Sequence, residues 1–182
     1  IHHLIADGAS VDIFLHQVCA CLEGSEPEKE EYTYLNHVQN EKVTSETEAF
    51  FKAQMTDCGE ITQLIPDIFE QGLEHTEGIV RVETNLKEVS EFAAKQGITP
   101  AGVYLAAEYI ACARYVCEDS VAISTISGGR SDLRIHNTVG MFINTLPLVA
   151  KIDNEEETLS FVKRVSKDFV ASQLMGIKIN KV

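Results

Sequence analysis

The chain has 182 residues, enough for one domain with a sizeable core, and 45% of them are hydrophobic. Its 15 basic and 28 acidic residues leave a net charge of −13, which argues against nucleic acid and against an anionic membrane surface as partners. The sequence contains no apolar run long enough to span a bilayer, and we expect no signal peptide.

The five cysteines include no Cys-x-x-Cys pair, and four of them lie in apolar helical runs, where cysteine behaves as a small hydrophobe. This usage predicts reduced thiols and a cytoplasmic location. The first residue, Ile1, is not Met and already belongs to a motif, so we expect the chain to be a piece of a longer protein.

The first eight residues end in Asp7-Gly8 and predict the end of a strand, a tight turn and a helix that begins at Ser10. Gly8 can take backbone angles that residues with a Cβ resist, and Asp7 and Ser10 can accept hydrogen bonds from helix amides. Neighbouring side chains of a strand face opposite ways, so one of His2 and His3 would face a cleft while the other packs. Histidine pairs are usually structural and Asp-Gly is a common turn, so this stretch alone does not establish catalysis.

Helices with irregular connections are predicted up to about residue 77. The first helix ends at Gly24, and its apolar face contains Val11, Phe14, Leu15, Val18 and Leu22. The acidic stretch 23–31 is interpreted as a solvated connection, and the aromatic stretch 32–35 should dock on another part of the chain. A capping box at 45–48 predicts a helix that ends near Gly59. Pro66 and Gly72 make 61–77 irregular, which favours a lobe boundary there.

Strands and helices alternate after Gly78. We predict a strand at 79–84, a helix at 86–96 between Asn85 and Gly97, a helix from Thr99-Pro100 to about Cys117, and a strand at 121–126. Asn154 would cap a last helix whose buried stripe contains Leu159, Val162, Val165, Phe169 and Val170. The tail 177–182 is predicted to be a further strand. This alternation indicates an α/β layered fold.

A long connection, 127–148, separates the last strand from the last helix. It starts with Ser127-Gly128-Gly129-Arg130 and ends with the apolar stretch 139–148. It lacks the Gly-Lys-Ser/Thr ending of a phosphate loop. Long connections without regular structure are usually functional in a compact domain.

Two motifs together resemble those of one family. His2-His3-x-x-x-Asp7-Gly8-x-Ser10 resembles the His-His-x-x-x-Asp-Gly signature of condensation domains in non-ribosomal peptide synthetases. The stretch Val139-Gly140-x-Phe142-Ile143-Asn144-Thr145-Leu146-Pro147-Leu148 resembles the Gly-x-Phe-Val-Asn-Thr-Leu-Pro-Leu stretch of the same domains. Their order and wide separation agree with the family, and the resemblance covers nearly the whole chain.

The resemblance implies a chloramphenicol acetyltransferase-like fold, in which two lobes enclose a tunnel. Residues 1–60 would be the end of the N-terminal lobe and 61–182 an incomplete C-terminal lobe. The chain departs from the family pattern beside the loop arginine, where Gly129 and Ser131 replace Asn and Pro, and at Val149, where Arg is usual. The later His-Gln-Asp-x-Pro stretch is absent. These departures bear on substrate preference.

The implied reaction is amide formation between a donor acyl or peptidyl thioester and an acceptor aminoacyl thioester. The partners would be carrier protein domains that hold both substrates on phosphopantetheine, with an adenylation domain in the parent chain and no cofactor bound directly. By the family pattern, His3 is the catalytic residue, either as a base or as a positioning and charge-stabilising group, since imidazoles titrate near physiological pH. His2 would be structural or supporting. The tunnel and its loop would include Gly8, Ser10, Gly128, Gly129, Gly140, Phe142 and Asn144.

A hydrolase triad would pair Asp7 with the ring of His3, but we predict instead that Asp7 pairs with Arg130. Arginine holds a carboxylate through two parallel hydrogen bonds, and the glycines before Arg130 let the backbone come close. The family pattern places an aspartate and an arginine in this relation.

Several rival readings of the motifs stay open. An epimerisation domain and a stand-alone coenzyme A-dependent acyltransferase share the fold, and a non-catalytic carrier-recruitment domain belongs to another class. A hydrolase would need a nucleophile elbow, which is absent. A metal site on His3 and Asp7 has no third ligand nearby in the sequence.

Overall fold

The computed structural model describes residues 2–27, 29–40, 43–56, 64, 80–83, 85–130 and 132–176. The chain forms two compact units. The first contains Ile1–Phe51, Ser124–Leu146 and Met175–Val182, and the second contains Lys52–Ile123 and Pro147–Leu174. The division into an N-terminal lobe at 1–60 and a C-terminal lobe at 61–182 stays a prediction, and the irregular stretch 61–77 and the tail 177–182 lie almost wholly outside the described residues.

Six α-helices and two strands are found in the described ranges. The helices are α1 (Gly8–Leu22), α2 (Tyr34–Asn40), α3 (Ser45–Thr56), α4 (Leu86–Gln96), α5 (Pro100–Val116) and α6 (Thr158–Met175). The strands are β1 (Ser120–Ser127) and β2 (Asn144–Lys151), which pair with each other, and a 3₁₀ turn covers Leu133–Ile135. The Ile152 amide donates to the Asp119 carbonyl at 2.7 Å, so the end of β2 meets the start of β1 and the pair is antiparallel.

The segment before α1 is a turn and not the predicted strand. The Ile5 amide donates to the His2 carbonyl at 3.1 Å, which uses groups that a strand would offer to a neighbour. The strand geometry from which the two histidines were expected to face opposite ways is therefore absent, and their relative orientation stays a prediction. Helix α1 begins at Gly8 and not at Ser10, because the Asp7 carboxylate accepts from the Ser10 amide and caps the helix. Gly8 lies in the first helical turn and is not among the glycines with a positive φ, so the predicted need for glycine angles there is wrong.

The apolar face of α1 is present but is not buried in the described chain. Its five residues, Val11, Phe14, Leu15, Val18 and Leu22, are between 39% and 82% exposed. Cys19 and Cys21 on the same helix are exposed, and so is Cys117, so the prediction that these cysteines pack as small hydrophobes is wrong for these three. The four described cysteines form no disulfide with one another. The helix ends as expected, with Gly24 at φ 84°.

Two of the connecting segments are more ordered than predicted. The stretch 32–35 docks as expected through Tyr32 and Tyr34, but Tyr34 also begins helix α2, which the sequence analysis missed. Helix α3 starts where predicted, although the residue that caps it is Thr44, whose hydroxyl accepts from the Thr47 amide at 3.2 Å. The proposed capping box at Ser45 is therefore one residue late.

Helices α4 and α5 follow the sequence prediction closely. Asn85 accepts from the Glu88 amide, Gly97 ends α4 in the left-handed conformation at φ 68°, and Thr99 caps α5 with Pro100 in its first turn. Cys117 ends α5 at φ 58°. At Gly102 an added Cβ would lie 2.5 Å from the Ser166 side chain, so glycine permits a close approach of α5 and α6.

The second unit has its own hydrophobic core. It is built from α5, α6 and parts of the two strands, and contains Leu105, Ala106, Tyr109, Ala113, Val121, Leu148, Ala150, Phe161, Val162 and Val165. Helix α6 begins at Thr158, four residues after the predicted cap Asn154, and its buried stripe includes Phe161 while Val170 is 41% exposed. Residues 80–83 form no strand, contrary to prediction, because they pair with no other described segment.

Candidate active site

Asp7 and Arg130 form the predicted ion pair at the start of α1. Arg130 Nη2 donates to Asp7 Oδ1 at 2.8 Å and Nε donates to Oδ2 at 3.2 Å, which gives two parallel hydrogen bonds. The side chain of Arg130 is 13% exposed and that of Asp7 is 3% exposed. Neither oxygen of Asp7 accepts from the His3 ring in the described structure. The carboxylate therefore braces the loop that carries Arg130 and leaves the imidazole of His3 free of it.

The pKa of Asp7 follows from this environment. Burial of the carboxylate raises its pKa, but hydrogen bonds from Arg130, from the hydroxyl and amide of Ser10 and from the Phe142 amide lower it by more. The pKa thus lies below its ordinary value, and Asp7 remains ionised at neutral pH.

Ser10 links the same carboxylate to the loop. Its side chain is fully buried, and its hydroxyl lies 2.7 Å from Asp7 Oδ1, 2.9 Å from Arg130 Nη2 and 2.8 Å from the Gly140 carbonyl. The Gly140 amide donates to the same hydroxyl at 3.0 Å, and the Asp7 amide donates to the Gly140 carbonyl at 3.2 Å. The two motifs, distant in sequence, are therefore joined at Gly140.

Arg130 also organises its own loop. One guanidinium nitrogen, Nη1, donates to the carbonyls of Ile135 and Thr138, each at 2.8 Å. The guanidinium stacks on the Phe142 ring at 4.3 Å from the centroid. The connection after β1, predicted to lack regular structure, is thus an ordered loop with a 3₁₀ turn, and its last part is strand β2.

Phe142 is fully buried and is surrounded by aromatic rings. Tyr34 approaches it edge-on with centroids 5.2 Å apart, and the His37 ring is 5.1 Å away. The Phe142 amide donates to Asp7 Oδ2 at 3.3 Å. Backbone and ring of Phe142 therefore hold the loop against α1 and α2 at once.

Glycine is required at two of the four candidate glycine positions. Gly129 has φ 62°, and an added Cβ would lie 1.9 Å from the Phe142 carbonyl oxygen. At Gly140 a Cβ would lie 2.5 Å from the Tyr34 ring. At Gly8 and Gly128 nothing lies within 4 Å of the added Cβ, so these two positions have open space for a side chain.

The two histidines lie on the turn before Asp7, and both are exposed. The His2 ring accepts from the Leu4 amide through Nδ1 at 3.1 Å, which stabilises the turn. His2 thus makes a structural hydrogen bond but is not buried, and the imidazole of His3 is exposed to solvent. Asn144, at the start of β2, is 7% exposed, and its Oδ1 is buried without a hydrogen-bond partner among the described residues.

Two of these features were missed in the sequence analysis. The Ser10 hydroxyl meets Gly140 across 130 residues of sequence, and the stacking of Arg130 on Phe142 depends on how the loop between them folds, so no local pattern reports either contact. The only available signal was the presence of Ser10 and Phe142 within the two motifs.

The described ranges contain neither a membrane-spanning helix nor a metal-binding cluster. No helix there is long and apolar enough to cross a bilayer. Nowhere in the same part of the chain do three His, Cys, Asp or Glu side chains meet as a metal ion would require.

Comparison with known proteins gives consistent results. Residues 1–176 match the family model of the condensation domain. The chain is 24% identical over 176 residues to surfactin synthase subunit 1 of Bacillus subtilis and 27% identical over 178 residues to tyrocidine synthase 2 of Brevibacillus parabrevis. Each match covers 92% of this chain but only 5% of the relative.

Solved structures show the same fold. SgcC5 of Streptomyces globisporus superposes with a TM-score of 0.77 at 21% identity, over 99% of this chain and 44% of that one. The first condensation domain of the CDA synthetase superposes with a TM-score of 0.66 at 21% identity, over 96% of this chain and 42% of that one. The predicted α/β, chloramphenicol acetyltransferase-like fold is thereby confirmed. The chain belongs to the condensation domain family of non-ribosomal peptide synthetases.

Proposed function

We propose that this chain supplies the catalytic histidine and the bracing loop of a domain that forms peptide bonds. The donor would be an acyl or peptidyl thioester and the acceptor an aminoacyl thioester, each on the phosphopantetheine arm of a carrier protein domain. The amine of the acceptor attacks the donor carbonyl, the thiol of the donor arm leaves, and an amide remains on the acceptor arm.

The observation that carries this proposal is the brace between the two motifs. Asp7 is buried and Arg130 is partly buried, two hydrogen bonds join them, and Ser10 links both to Gly140. The turn that carries His3 leads directly into this brace. Such a rigid support suits a reaction that gains most from holding two reactants in a fixed geometry.

His3 is assigned the catalytic role for two reasons. Its side chain is exposed, so that a substrate amine can reach it, and Asp7 is fully engaged by other partners. A neutral imidazole can accept or orient the proton of the attacking amine. His2 supports the turn through its bond from the Leu4 amide.

The remaining candidate residues would shape the substrate path. Asn144 has a buried carbonyl oxygen without a partner among the described residues, which suits it to accept a hydrogen bond from an amide or amine of the substrate arm. Gly129 and Gly140 keep the loop close to Phe142 and Tyr34. Gly8 and Gly128 leave open space beside it.

Carrier and adenylation domains are proposed as partners. One structural neighbour is a four-domain nonribosomal peptide synthetase bound to AMP and glycine, with a TM-score of 0.75 over 96% of this chain. Its likeness at 20% identity concerns the fold, and the partners are carried over here as part of the proposal.

The test is a product assay with a complete condensation domain that carries these residues. A donor-loaded and an acceptor-loaded carrier protein are mixed with the domain, and the thioester products are identified by mass spectrometry. We expect an amide on the acceptor arm. An unchanged mass with inverted stereochemistry would indicate epimerisation, and acyl transfer from free coenzyme A would indicate a stand-alone acyltransferase. No turnover together with carrier binding would indicate recruitment only, and each of these results would overturn the proposal.

A further inference from the structure

The hydrogen-bonding capacity of the Ser10 hydroxyl is completely used. A serine hydroxyl offers one hydrogen and two acceptor lone pairs. The Gly140 amide and Arg130 Nη2 donate into the lone pairs at 3.0 and 2.9 Å. The single hydrogen goes to Asp7 Oδ1 at 2.7 Å or to the Gly140 carbonyl at 2.8 Å.

Each of those two acceptors still has another hydrogen-bond donor when the Ser10 hydrogen goes to the other one. Asp7 Oδ1 also accepts from Arg130 and from the Ser10 amide, each at 2.8 Å. The Gly140 carbonyl also accepts from the Asp7 amide at 3.2 Å. The Gly140 amide is different, because its recorded partner is the Ser10 hydroxyl in a buried position. Loss of that hydroxyl would leave a buried donor unsatisfied.

We propose that Ser10 is a positioning residue for the His3 turn. Its hydroxyl fixes the Gly140 peptide, and Gly140 in turn fixes the Asp7 amide, the first anchor after the turn that carries His3. Among the described residues, the hydroxyl of Ser10 bonds to Asp7, Arg130 and Gly140 and not to the His3 ring, so its effect on His3 passes through Gly140 and Asp7. This inference deepens the proposed function and rests on it for its catalytic consequence.

The test compares Ser10→Ala with Ser172→Ala in a complete domain that carries these residues. Ser172 is the matched control because it is also fully buried, lies in the other unit and accepts a long hydrogen bond from Gln54 at 3.4 Å within the described part of the chain. For Ser10→Ala we expect kcat for amide formation to fall by about tenfold to a hundredfold, as loss of a hydrogen bond to charged or buried partners predicts, with KM for the carriers almost unchanged. Ser172→Ala should leave kcat within about twofold.

Two further measurements need no substrate. Hydrogen exchange followed by mass spectrometry should show faster exchange at the amides of Asp7 and Gly140 in Ser10→Ala, and NMR of labelled histidine should show a shifted or broadened His3 ring. Ser172→Ala should change neither. If the unaltered domain forms no amide, the proposed function fails, while exchange and NMR still decide the role of Ser10.

The inference would be overturned by a folded Ser10→Ala domain with normal exchange, a normal His3 resonance and a kcat within twofold of the unaltered domain. It would also be overturned if Ser172→Ala lost as much activity. Should Ser10→Ala fail to fold, Ser10→Cys keeps a weakly hydrogen-bonding side chain at the site. Ser10→Cys is expected to lose part of the rate, and a full rate with normal exchange would contradict the inference.

Discussion

Replacement of Arg130 by alanine should destabilise the domain more than any other single loss of charge in the loop. Arg130 makes two hydrogen bonds to Asp7, one to Ser10 and one each to the carbonyls of Ile135 and Thr138. The side chains of the pair are 13% and 3% exposed, so the carboxylate of Asp7 would remain buried without its counter-charge. Removal of one partner of a buried pair costs about 3–5 kcal/mol in free energy of unfolding.

Such a loss is a large part of the free energy of unfolding of a typical domain, which is roughly 5–15 kcal/mol. The assay is urea unfolding at neutral pH of a complete domain that carries these residues, with the free energy extrapolated to water. Arg134→Ala is the matched control, because Arg134 lies in the same loop and forms an exposed ion pair with Asp132. The side chain of Arg134 is 65% exposed and that of Asp132 is 34% exposed. Arg134→Ala should lose far less stability. Arg130→Lys should lose an intermediate amount, since a lysine keeps the charge but not the paired geometry.

The reasoning would be refuted if Arg130→Ala unfolded at the same urea concentration as Arg134→Ala. A loss in Arg130→Ala that persisted unchanged in an Asp7→Asn background would also refute it, because the cost is attributed to the unpaired carboxylate.

Three further predictions concern pH, the loop backbone and self-association. The pKa of Asp7 is lowered in the folded state, so the stability that its carboxylate contributes is complete above its unfolded pKa of about 3.9 and is lost as the pH falls through the folded pKa. The difference in urea midpoint between the unaltered domain and Asp7→Asn should therefore shrink in acid. A difference that does not change with pH would contradict this. Gly129→Ala should lower the free energy of unfolding by about 2–4 kcal/mol, because residue 129 has φ 62° and its Cβ would lie against the Phe142 carbonyl. Gly128→Ala, in open space, should lower it by less than about 0.5 kcal/mol. Equal urea midpoints for the two variants would show that glycine is not required at residue 129. The 182 residues alone should self-associate through the exposed apolar face of α1 and should form no amide. Phe14→Asp, on that face, should reduce the mass measured by light scattering. A chain that is monomeric and forms amide would contradict both predictions.

The parts of the fold that were predicted correctly are those with local signals. Helices α4 and α5 are bounded by Asn85, Gly97 and Thr99-Pro100, whose effects act within a few residues. Strand β2 was missed because it contains Pro147 and its strand conformation depends on pairing with β1. The exposed face of α1 shows the same limit, since helical spacing reveals an apolar face but not what covers it.

The candidate site shows a similar division. The ion pair of Asp7 and Arg130 was predicted from the two glycines before Arg130, from the paired hydrogen bonds that an arginine offers a carboxylate, and from the family pattern, which places an aspartate and an arginine in this relation. The role of Ser10 was not predicted, because its hydroxyl meets Gly140 at a separation of 130 residues. A serine near a helix start is most simply interpreted as a capping residue, but in the structure Asp7 caps the helix and Ser10 holds the loop.

The measurement that tests the account most directly is the single-turnover rate of amide formation by a complete domain that carries these residues, with and without His3→Ala. His3 is exposed and holds no part of the brace, so the altered domain should unfold at the same urea concentration as the unaltered one. Its rate should nevertheless fall by about a hundredfold or more, as loss of a general acid–base group predicts. The same substitution at the exposed His16 of α1 should leave the rate unchanged. A His3→Ala domain that is folded and forms amide at a near-normal rate would contradict the account.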